Sequence, residues 1–362
     1  MATPHSVDRY LELITPALTA RELRAQVVRA ERRTAETVTL TLRPTRQWRG
    51  FQPGQFVQLG VVIDGVRHTR CFSPAGSVHT REGLIELTMK AHPDGFVTRY
   101  LREHARPGDV YALSQAQGEF HLPQPRPDQI VLISGGSGIT PVMSMIRTLV
   151  DEKYAGTVTF VHYAMTPAEV PYLDELKTLA ATSTVNVVWG FIGDSASSDA
   201  EADDTSDGEV SEDSLITVEG FFSLEHLQTA APWFRDAQTY LCGPAPLMES
   251  VREIYRSEGI EDRLHTEEFA PASVEVGESG GELTFARSDV RADNDGQTLL
   301  EQAESAGLTP EFGCRMGICY TCTSTKTSGC TKNVRTGDID DEPNKQIQLC
   351  VSVPVGDVVI DI

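Results

Sequence analysis

The sequence lacks any apolar run approaching the ~20 residues of a membrane-spanning helix, so no span of its own is expected. It is also short of positive charge. Thirty-one Lys and Arg stand against 52 Asp and Glu, a formal net charge of −21. A surface of that sign does not suit phosphate backbones, which removes nucleic acid from the expected partners. The opening residues, Met1 to His5, have neither the basic nor the apolar region of a secretion signal. Cysteine is sparse, seven in 362 residues, and fits a reducing interior better than a disulfide framework. The cytoplasm is therefore the expected compartment. Paired C-x2-C knuckles, which a structural zinc site favours, are scarce too, because only one such pair exists.

What is present is a dense stretch near the C-terminal end, Glu311 to Cys322. It holds Cys314, Cys319 and Cys322 at the spacing C-x4-C-x2-C, with Cys350 further on. This is the plant-type ligand pattern of a [2Fe–2S] cluster, in which four thiolates complete two tetrahedral irons. Gly313 and Gly317 let the loop backbone curl around such a cluster. Cys71 and Cys330 fall outside the spacing and are expected not to be ligands.

The rest of the chain changes character several times. Residues 1–22 read as a short amphipathic N-terminal helix, with Tyr10, Leu11 and Ile14 on one face. Residues 23–126 alternate in short strands punctuated by Gly and Pro, the pattern of an antiparallel β-barrel. Within it, Arg70, Phe72 and Ser73 bring together a cation, a flat ring and a hydroxyl, which suits a flavin nucleotide. Gly95 to Leu101 is a turn into a helix start, where free N–H groups face an anion. From 127 to 269 the pattern becomes βα units of a parallel sheet. The run Ile130 to Ile133 is a buried strand, a glycine loop from Ser134 to Pro141 follows, and helices are expected at Val142–Val150, Tyr172–Ala181 and Glu249–Glu258. The loop is not G-x-G-x-x-G, so the standard dinucleotide fingerprint is absent. Residues 194–213 contain nine acidic and no basic residues and read as a solvated acidic insert. Residues 270–281 are a linker by composition. Residues 282–362 form a last α+β domain: a hairpin, a helix at Thr298–Ala306, the cysteine loop and a final strand Asp357–Ile362. The fold class expected is therefore multidomain: a β-barrel, an α/β nucleotide domain and a small α+β domain.

Taken together, these motifs resemble the ferredoxin–NADP reductase superfamily, with a plant-type ferredoxin of β-grasp fold fused at the C-terminal end. Arg70-Cys71-Phe72-Ser73 is similar to the family's R-x-Y-S flavin motif. Gly95-Phe96-Val97-Thr98 is similar to its G-x-x-S pyrophosphate motif. Gly135 to Pro141 and Cys242 to Met248 resemble its two nicotinamide-nucleotide motifs. The resemblance implies FAD, a [2Fe–2S] cluster and NADPH or NADH as cofactors, with electrons passing in that chemistry from NAD(P)H to an acceptor. It implies Ser73, Thr140 and Cys242 as catalytic residues. It implies flavin and nucleotide contacts at Arg70, Phe72, Ser73, Lys90, Gly95, Val97, Thr98, Gly135, Gly136, Gly138, Thr140, Cys242, Gly243, Pro244, Met248 and Phe269. Glu267 and Glu268 close the nucleotide domain near the flavin by family position. One departure concerns the coenzyme. Met165 stands where similar proteins often carry an arginine for the 2′-phosphate, and no Asp or Glu immediately replaces it.

A narrower resemblance, through Asp8 to Ile14, Arg263 to Phe269 and Gly313 to Cys319, is to bacterial reductases that feed membrane acyl-CoA Δ9-desaturases. It implies a monomer whose redox partner is a membrane desaturase, placing the chain at the inner face of the membrane through that partner. Two alternatives remain at this stage. One is a reductase for an aromatic or alkane hydroxylase or dioxygenase. The other is a non-catalytic redox sensor, which the complete set of nucleotide motifs disfavours.

Overall fold

Residues 37–42 show how the first sheet is built. Val38, Leu40 and Leu42 project to one face and Thr37, Thr39 and Thr41 to the other, and all six are buried. The computed structural model describes residues 22–80, 83–91, 95–182, 185–193, 216–269, 279–313, 315–318 and 320–362. The expected N-terminal helix, the acidic insert, most of the linker, and Cys314 and Cys319 lie outside these. Among the described residues the chain divides into two compact units, Met1–Leu59 with Phe72–Glu268, and Gly60–Cys71 with Phe269–Ile362.

The first sheet contains β1 (Arg24–Arg32), β2 (Thr37–Pro44), β3 (Val57–Ile63), β4 (Val66–Phe72), β5 (Ile85–Lys90) and β6 (Val110–Leu113) in the order β4-β3-β6-β1-β2-β5. β2 pairs antiparallel with β1 and β5, and β1 with β6. The threonine face of β2 is not wasted polarity. Thr39 Oγ1 meets Thr88 Oγ1 at 2.6 Å, and the Tyr172 hydroxyl donates to Thr88 Oγ1 at 2.5 Å. Helix α1 (Phe96–His104) has Gly95 as its N-cap, where the sequence places the turn.

The second sheet is parallel throughout: β7 (Gln129–Gly135), β8 (Thr157–Ala164), β9 (Val185–Phe191), β10 (Ile216–Glu219), β11 (Gln238–Cys242) and β12 (Leu264–Glu267), in the order β10-β9-β8-β7-β11-β12. Ile130 to Ile133 are completely buried, the continuous apolar run that a doubly covered strand requires. The chain winds outward from β7 in one direction, then returns to β11 on its other side. The C-terminal ends of β7 and β11 thus bracket a topological switch point, where open α/β sheets bind ligands. The connecting helices are α2 (Ile139–Asp151), α3 (Leu173–Thr182), α4 (Leu224–Ala230) and α5 (Ala245–Glu258).

Two helices begin earlier than their prolines suggest. α2 starts at Ile139 with Pro141 in its first turn, and α5 starts at Ala245 with Pro246 in its first turn. First-turn N–H groups have no intrahelical acceptor, so a proline there removes nothing.

In the second unit, β13 (Glu282–Phe285), β14 (Val290–Asp293), β15 (Thr323–Asn333), β16 (Ile339–Asp340), β17 (Lys345–Gln348) and β18 (Ser352–Ile360) form a mixed sheet, ordered β14-β13-β18-β15-β16 with β17 beside β15. Helix α6 (Leu299–Ser305) buries Leu299, Leu300 and Ala303 against Leu283, Phe285, Val358 and Ile360. Thr298 and Glu301 cap its start reciprocally. This is the α+β domain expected. Its last strand begins at Ser352 rather than Asp357. Cys330 pairs with Val355 and Gly329 with Val358, so Gly356, at φ +75°, is absorbed in a bulge and does not end the strand.

Candidate cofactor sites

The nucleotide loops meet because glycine lets them. A Cβ on Gly138 would lie 2.1 Å from the Cys242 carbonyl oxygen, and one on Gly135 would lie 2.7 Å from Pro244 Cδ. Gly136 takes φ +52°, a left-handed conformation. The loop after β7 and the loop after β11 therefore pack backbone to backbone at the switch point, and α2 begins directly from the first of them. A cleft of about 320 Å³ opens there. Of the residues predicted from sequence, Lys90, Gly135, Gly136, Thr140 and Pro244 line it, together with Met165. Gly138 stands against Cys242 at the loop crossing. Met248 is enclosed in the apolar core of the parallel sheet, where it secures α5.

Lys90 reaches Glu169 at 3.0 Å and Glu36 at 3.1 Å. Partial burial pulls its pKa down, but the two carboxylates win and raise it. Lys90 is therefore a firmly charged ammonium at the cleft wall. Its two acidic partners were not legible beforehand, because Glu36 and Glu169 are far apart in sequence and carry no motif. The cleft also exposes Met165 at 52% and Phe221 at 74% of their surface, and Phe221 had no signal in the sequence either. His162 lies at the cleft too, fully buried, with Nδ1 2.7 Å from Ser134 Oγ. Burial drives its pKa down to about 3, so it is neutral at ordinary pH.

Ser73 follows β4 and is 1% exposed. The Glu267 carboxyl lies beside it, at the end of β12 and opposite Cys242 of β11 in the strand register. Burial pushes the Glu267 pKa up to about 8, and the nearby Ser73 hydroxyl opposes the shift weakly. No hydrogen bond of normal geometry joins the two, and Ser73 Oγ and Glu267 Oε2 are buried without a partner among the described residues. The Cys242 thiol is fully buried. Burial, with Glu267 and Glu268 adding to it, raises its pKa well above the ordinary thiol value, so it is a neutral thiol. Buried polar atoms left unmet call for a ligand that can hydrogen-bond them, and a flavin ring, rich in nitrogen and oxygen, fits that demand.

Arg70, half-buried on β4, donates to the Thr69 carbonyl at 2.8 Å, and burial followed by the nearby Arg315 lowers its pKa. Phe72 ends β4 and is half-buried. The Val97 side chain is 1% exposed and packs inward, leaving Gly95 and Thr98 to present the α1 N-terminus. Phe269 and Cys71 pack against Met316 in a small apolar cluster of the second unit, so Cys71 is occupied in packing.

For the iron–sulfur site, Cys322 and Cys350 are described, and both are buried, at 2% and 6% exposure. The Cys350 N–H donates to Cys322 Sγ at 3.5 Å. An amide aimed at a sulfur favours thiolate, the form that binds metal. Gly317 takes φ +69°, and a Cβ there would meet Val351 at 2.8 Å, so the loop closes tightly over the single helical turn Leu349–Val351, between β17 and β18, that carries Cys350. These residues fit a [2Fe–2S] cluster. Cys330 is on β15, paired with Val355, away from this pair in the sheet register.

A parallel sheet with a glycine-walled cleft at its switch point, the unmet Ser73 and Glu267 atoms and the buried Cys322–Cys350 pair together suit an iron–sulfur flavoprotein reductase. Three domain families match in that order: an oxidoreductase FAD-binding domain over residues 24–122, an oxidoreductase NAD-binding domain over 132–253, and a 2Fe-2S iron-sulfur cluster binding domain over 283–355. An NADPH oxidoreductase of Mycobacterium tuberculosis is 35% identical, covering 100% of this chain and 90% of that protein. The glycine betaine monooxygenase reductase subunit of Pseudomonas aeruginosa is 30% identical, over 86% of this chain and 87% of that one. Phthalate dioxygenase reductase shares the fold, with a TM-score of 0.63 at 21% identity over 94% of this chain and 98% of that structure. The chain belongs to the ferredoxin–NADP reductase family of FAD- and NAD(P)-binding oxidoreductases that carry a [2Fe–2S] domain.

Proposed function

We propose that this enzyme is the reductase component of an oxygen-activating system, oxidising NAD(P)H and delivering electrons singly to a separate protein. The observation that carries this reading is the coexistence in one chain of the cleft at the sheet switch point, the unmet Ser73 and Glu267 atoms, and the buried Cys322–Cys350 pair. Nicotinamide gives up two electrons as hydride and a [2Fe–2S] cluster takes one, and bound FAD supplies the chemistry that reconciles the two.

Within this reading, Arg70 would hold the flavin nucleotide by charge-assisted hydrogen bonds, and the α1 N-terminus at Gly95 and Thr98 would take an anionic phosphate. Phe72 would offer the flavin a flat apolar ring, and Ser73 would hydrogen-bond its polar edge. Thr140 and Cys242 flank the nicotinamide, with Gly135, Gly136, Gly243 and Pro244 shaping the approach. Cys314, Cys319, Cys322 and Cys350 would hold the cluster.

For the acceptor, the first reading is a membrane acyl-CoA desaturase. It is supported by the resemblance carried by residues 8–14, 263–269 and 313–319. Among the described residues no helix is long and apolar enough to cross a membrane, and under this reading the chain would be peripheral, meeting such a partner at the inner face of the membrane. The second reading is a monooxygenase component acting on a small substrate. The relatives named as glycine betaine monooxygenase and stachydrine N-demethylase reductase subunits support it. Purified enzyme supplied with NAD(P)H and each candidate acceptor decides between them. Unsaturated acyl product supports the first, and hydroxylated or demethylated product supports the second. Product with neither, despite brisk NAD(P)H oxidation, removes the oxygen-activating partner.

A further inference from the structure

The cysteine loop needs left-handed backbone at three described positions: Arg315 at φ +58°, Gly317 at +69° and Tyr320 at +57°. Glycine is the usual residue for that conformation, and large side chains adopt it rarely. Gly317 is explained by the Val351 contact described above. Arg315 is explained as well, since its guanidinium is ion-paired with Glu304 and lies 4.0 Å over the Phe312 ring. Tyr320 is different. Its backbone is pinned, because the Tyr320 carbonyl accepts from Thr323 N at 3.2 Å and from Thr323 Oγ1 at 2.6 Å. Its ring is 69% exposed, among the most exposed large apolar side chains described. The sequence places it between two of the four expected cluster ligands, Cys319 and Cys322.

We propose that Tyr320 is the aromatic anchor of the surface through which the enzyme docks its protein electron acceptor. An exposed ring held in a rigid turn is a typical interface anchor, offering large apolar area at low conformational cost. Its surroundings indicate the partner's chemistry. Residues 282–362 contain thirteen Asp and Glu against seven Lys and Arg, a net of −6. A polar groove of about 630 Å³ takes in Thr321 and Thr323, the residues on either side of Cys322, with Glu311, and with Asp361 ion-paired to Arg287 at 2.7 Å, also on its walls. An apolar anchor next to a polar groove, on a domain of net negative charge, fits a basic protein that presents a small apolar pocket beside its own redox centre. Docking there brings the acceptor onto the cluster loop itself. One electron then leaves the reduced enzyme for each acceptor reduced, with NAD(P)H as the source and no bond made or broken between the proteins.

The inference rests on the reading that the enzyme delivers electrons to a separate protein, and the test separates the two. Ferricytochrome c, a basic one-electron protein, serves as the probe beside ferricyanide, a small acceptor. Wild type, Tyr320→Gly and Tyr320→Phe are compared as holoenzymes. The expected result for Tyr320→Gly is unchanged iron–sulfur absorption, an equal or higher Tm because glycine relieves the left-handed backbone, and an unchanged ferricyanide rate. Its kcat/KM for cytochrome c should fall about tenfold at low salt. Tyr320→Phe should stay close to wild type. Equal cytochrome c reduction by wild type and Tyr320→Gly overturns the anchor. Slower reduction of the cluster by NAD(P)H in single-turnover experiments also overturns it, by moving the residue to an internal step. A wild type that reduces ferricyanide but not cytochrome c overturns delivery to a basic protein, and the anchor with it.

Discussion

Cys242 and Glu267 sit directly opposite each other on the paired parallel strands β11 and β12, a buried thiol facing a buried carboxyl. Both pKa values are raised, chiefly by burial, that of Glu267 to about 8. In the folded chain Glu267 therefore keeps its proton far above the ordinary carboxyl range near 4.3.

That proton makes stability depend on pH in a definite direction. Between about pH 4.5 and 8 the folded state holds a proton at Glu267 that the unfolded state has lost. Its contribution is fully present below that window and is lost as pH rises through it, at up to ~1.4 kcal/mol per pH unit. Thermal unfolding of flavin-free protein across this range should show Tm falling with pH, and Glu267→Gln should flatten the slope. A slope unchanged in the variant would assign the titration to another group.

Arg147 should be a principal support of the first unit. Its guanidinium binds Glu86 on β5 at 2.7 Å, Glu175 on α3 at 2.6 Å and the Ala75 carbonyl at 2.8 Å, and it is only 16% exposed. It also lies over the Tyr172 ring at 4.8 Å. Removing one member of such a buried group leaves the others uncompensated. Arg147→Ala is expected to cost about 3 kcal/mol, read as a lower urea midpoint. A shift below about 0.5 kcal/mol would show that solvent already screens the group.

Much of this architecture could be read from the residues, for reasons that can be named. The buried run Ile130 to Ile133 and the glycines at 135, 136 and 138 announced strand and loop, because only a doubly covered strand is so apolar and only glycine permits the 2.1 Å approach at Gly138. The helices that the pattern places from Val142 and Glu249 begin earlier, at Ile139 and Ala245, because first-turn geometry tolerates Pro141 and Pro246. The four-residue strand β10 and the seven-residue helix α4 have no motif beside them to mark them, whereas the equally short α6 carries the Thr298–Glu301 capping box. The Lys90–Glu36–Glu169 cluster, the Arg147 hub and the Thr88–Tyr172 bond are long-range pairings between unremarkable polar residues. Nothing local marks such partners, and only the tertiary fold brings them together.

The ligand set should be visible in absorption. Cys322 and Cys350 are buried together and joined by an amide-to-sulfur hydrogen bond. Serine at either position should abolish or strongly perturb the iron–sulfur bands, whereas NAD(P)H reduction of the flavin should survive. The same substitution at Cys330, on β15, should leave the bands intact. Normal spectra in Cys350→Ser would move the fourth ligand elsewhere.

Coenzyme choice should turn on the part of the cleft wall that carries Met165. Met165, just past β8, is 52% exposed there and has no charge to offer a 2′-phosphate. The one cation described on the cleft wall, Lys90, is already held by Glu36 and Glu169. Discrimination between NADPH and NADH should therefore be small in this chain. Met165→Arg supplies a guanidinium at an exposed position where it can meet a phosphate while Lys90 keeps its own partners. A well-formed charge-assisted bond contributes about 1.5–3 kcal/mol, so the kcat/KM ratio of NADPH to NADH should rise by roughly 10- to 150-fold. The rise should appear in KM for NADPH, with NADH kinetics little changed, because the new contact touches only the phosphate that NADH lacks. Glu169→Gln gives a second reading of the same cleft. Freed from one carboxylate, Lys90 becomes available to a phosphate, and KM for NADPH should fall while the flavin spectrum is unaltered. If neither substitution moves the ratio, the 2′ position is recognised away from the β8 end, and Met165 is only part of the wall.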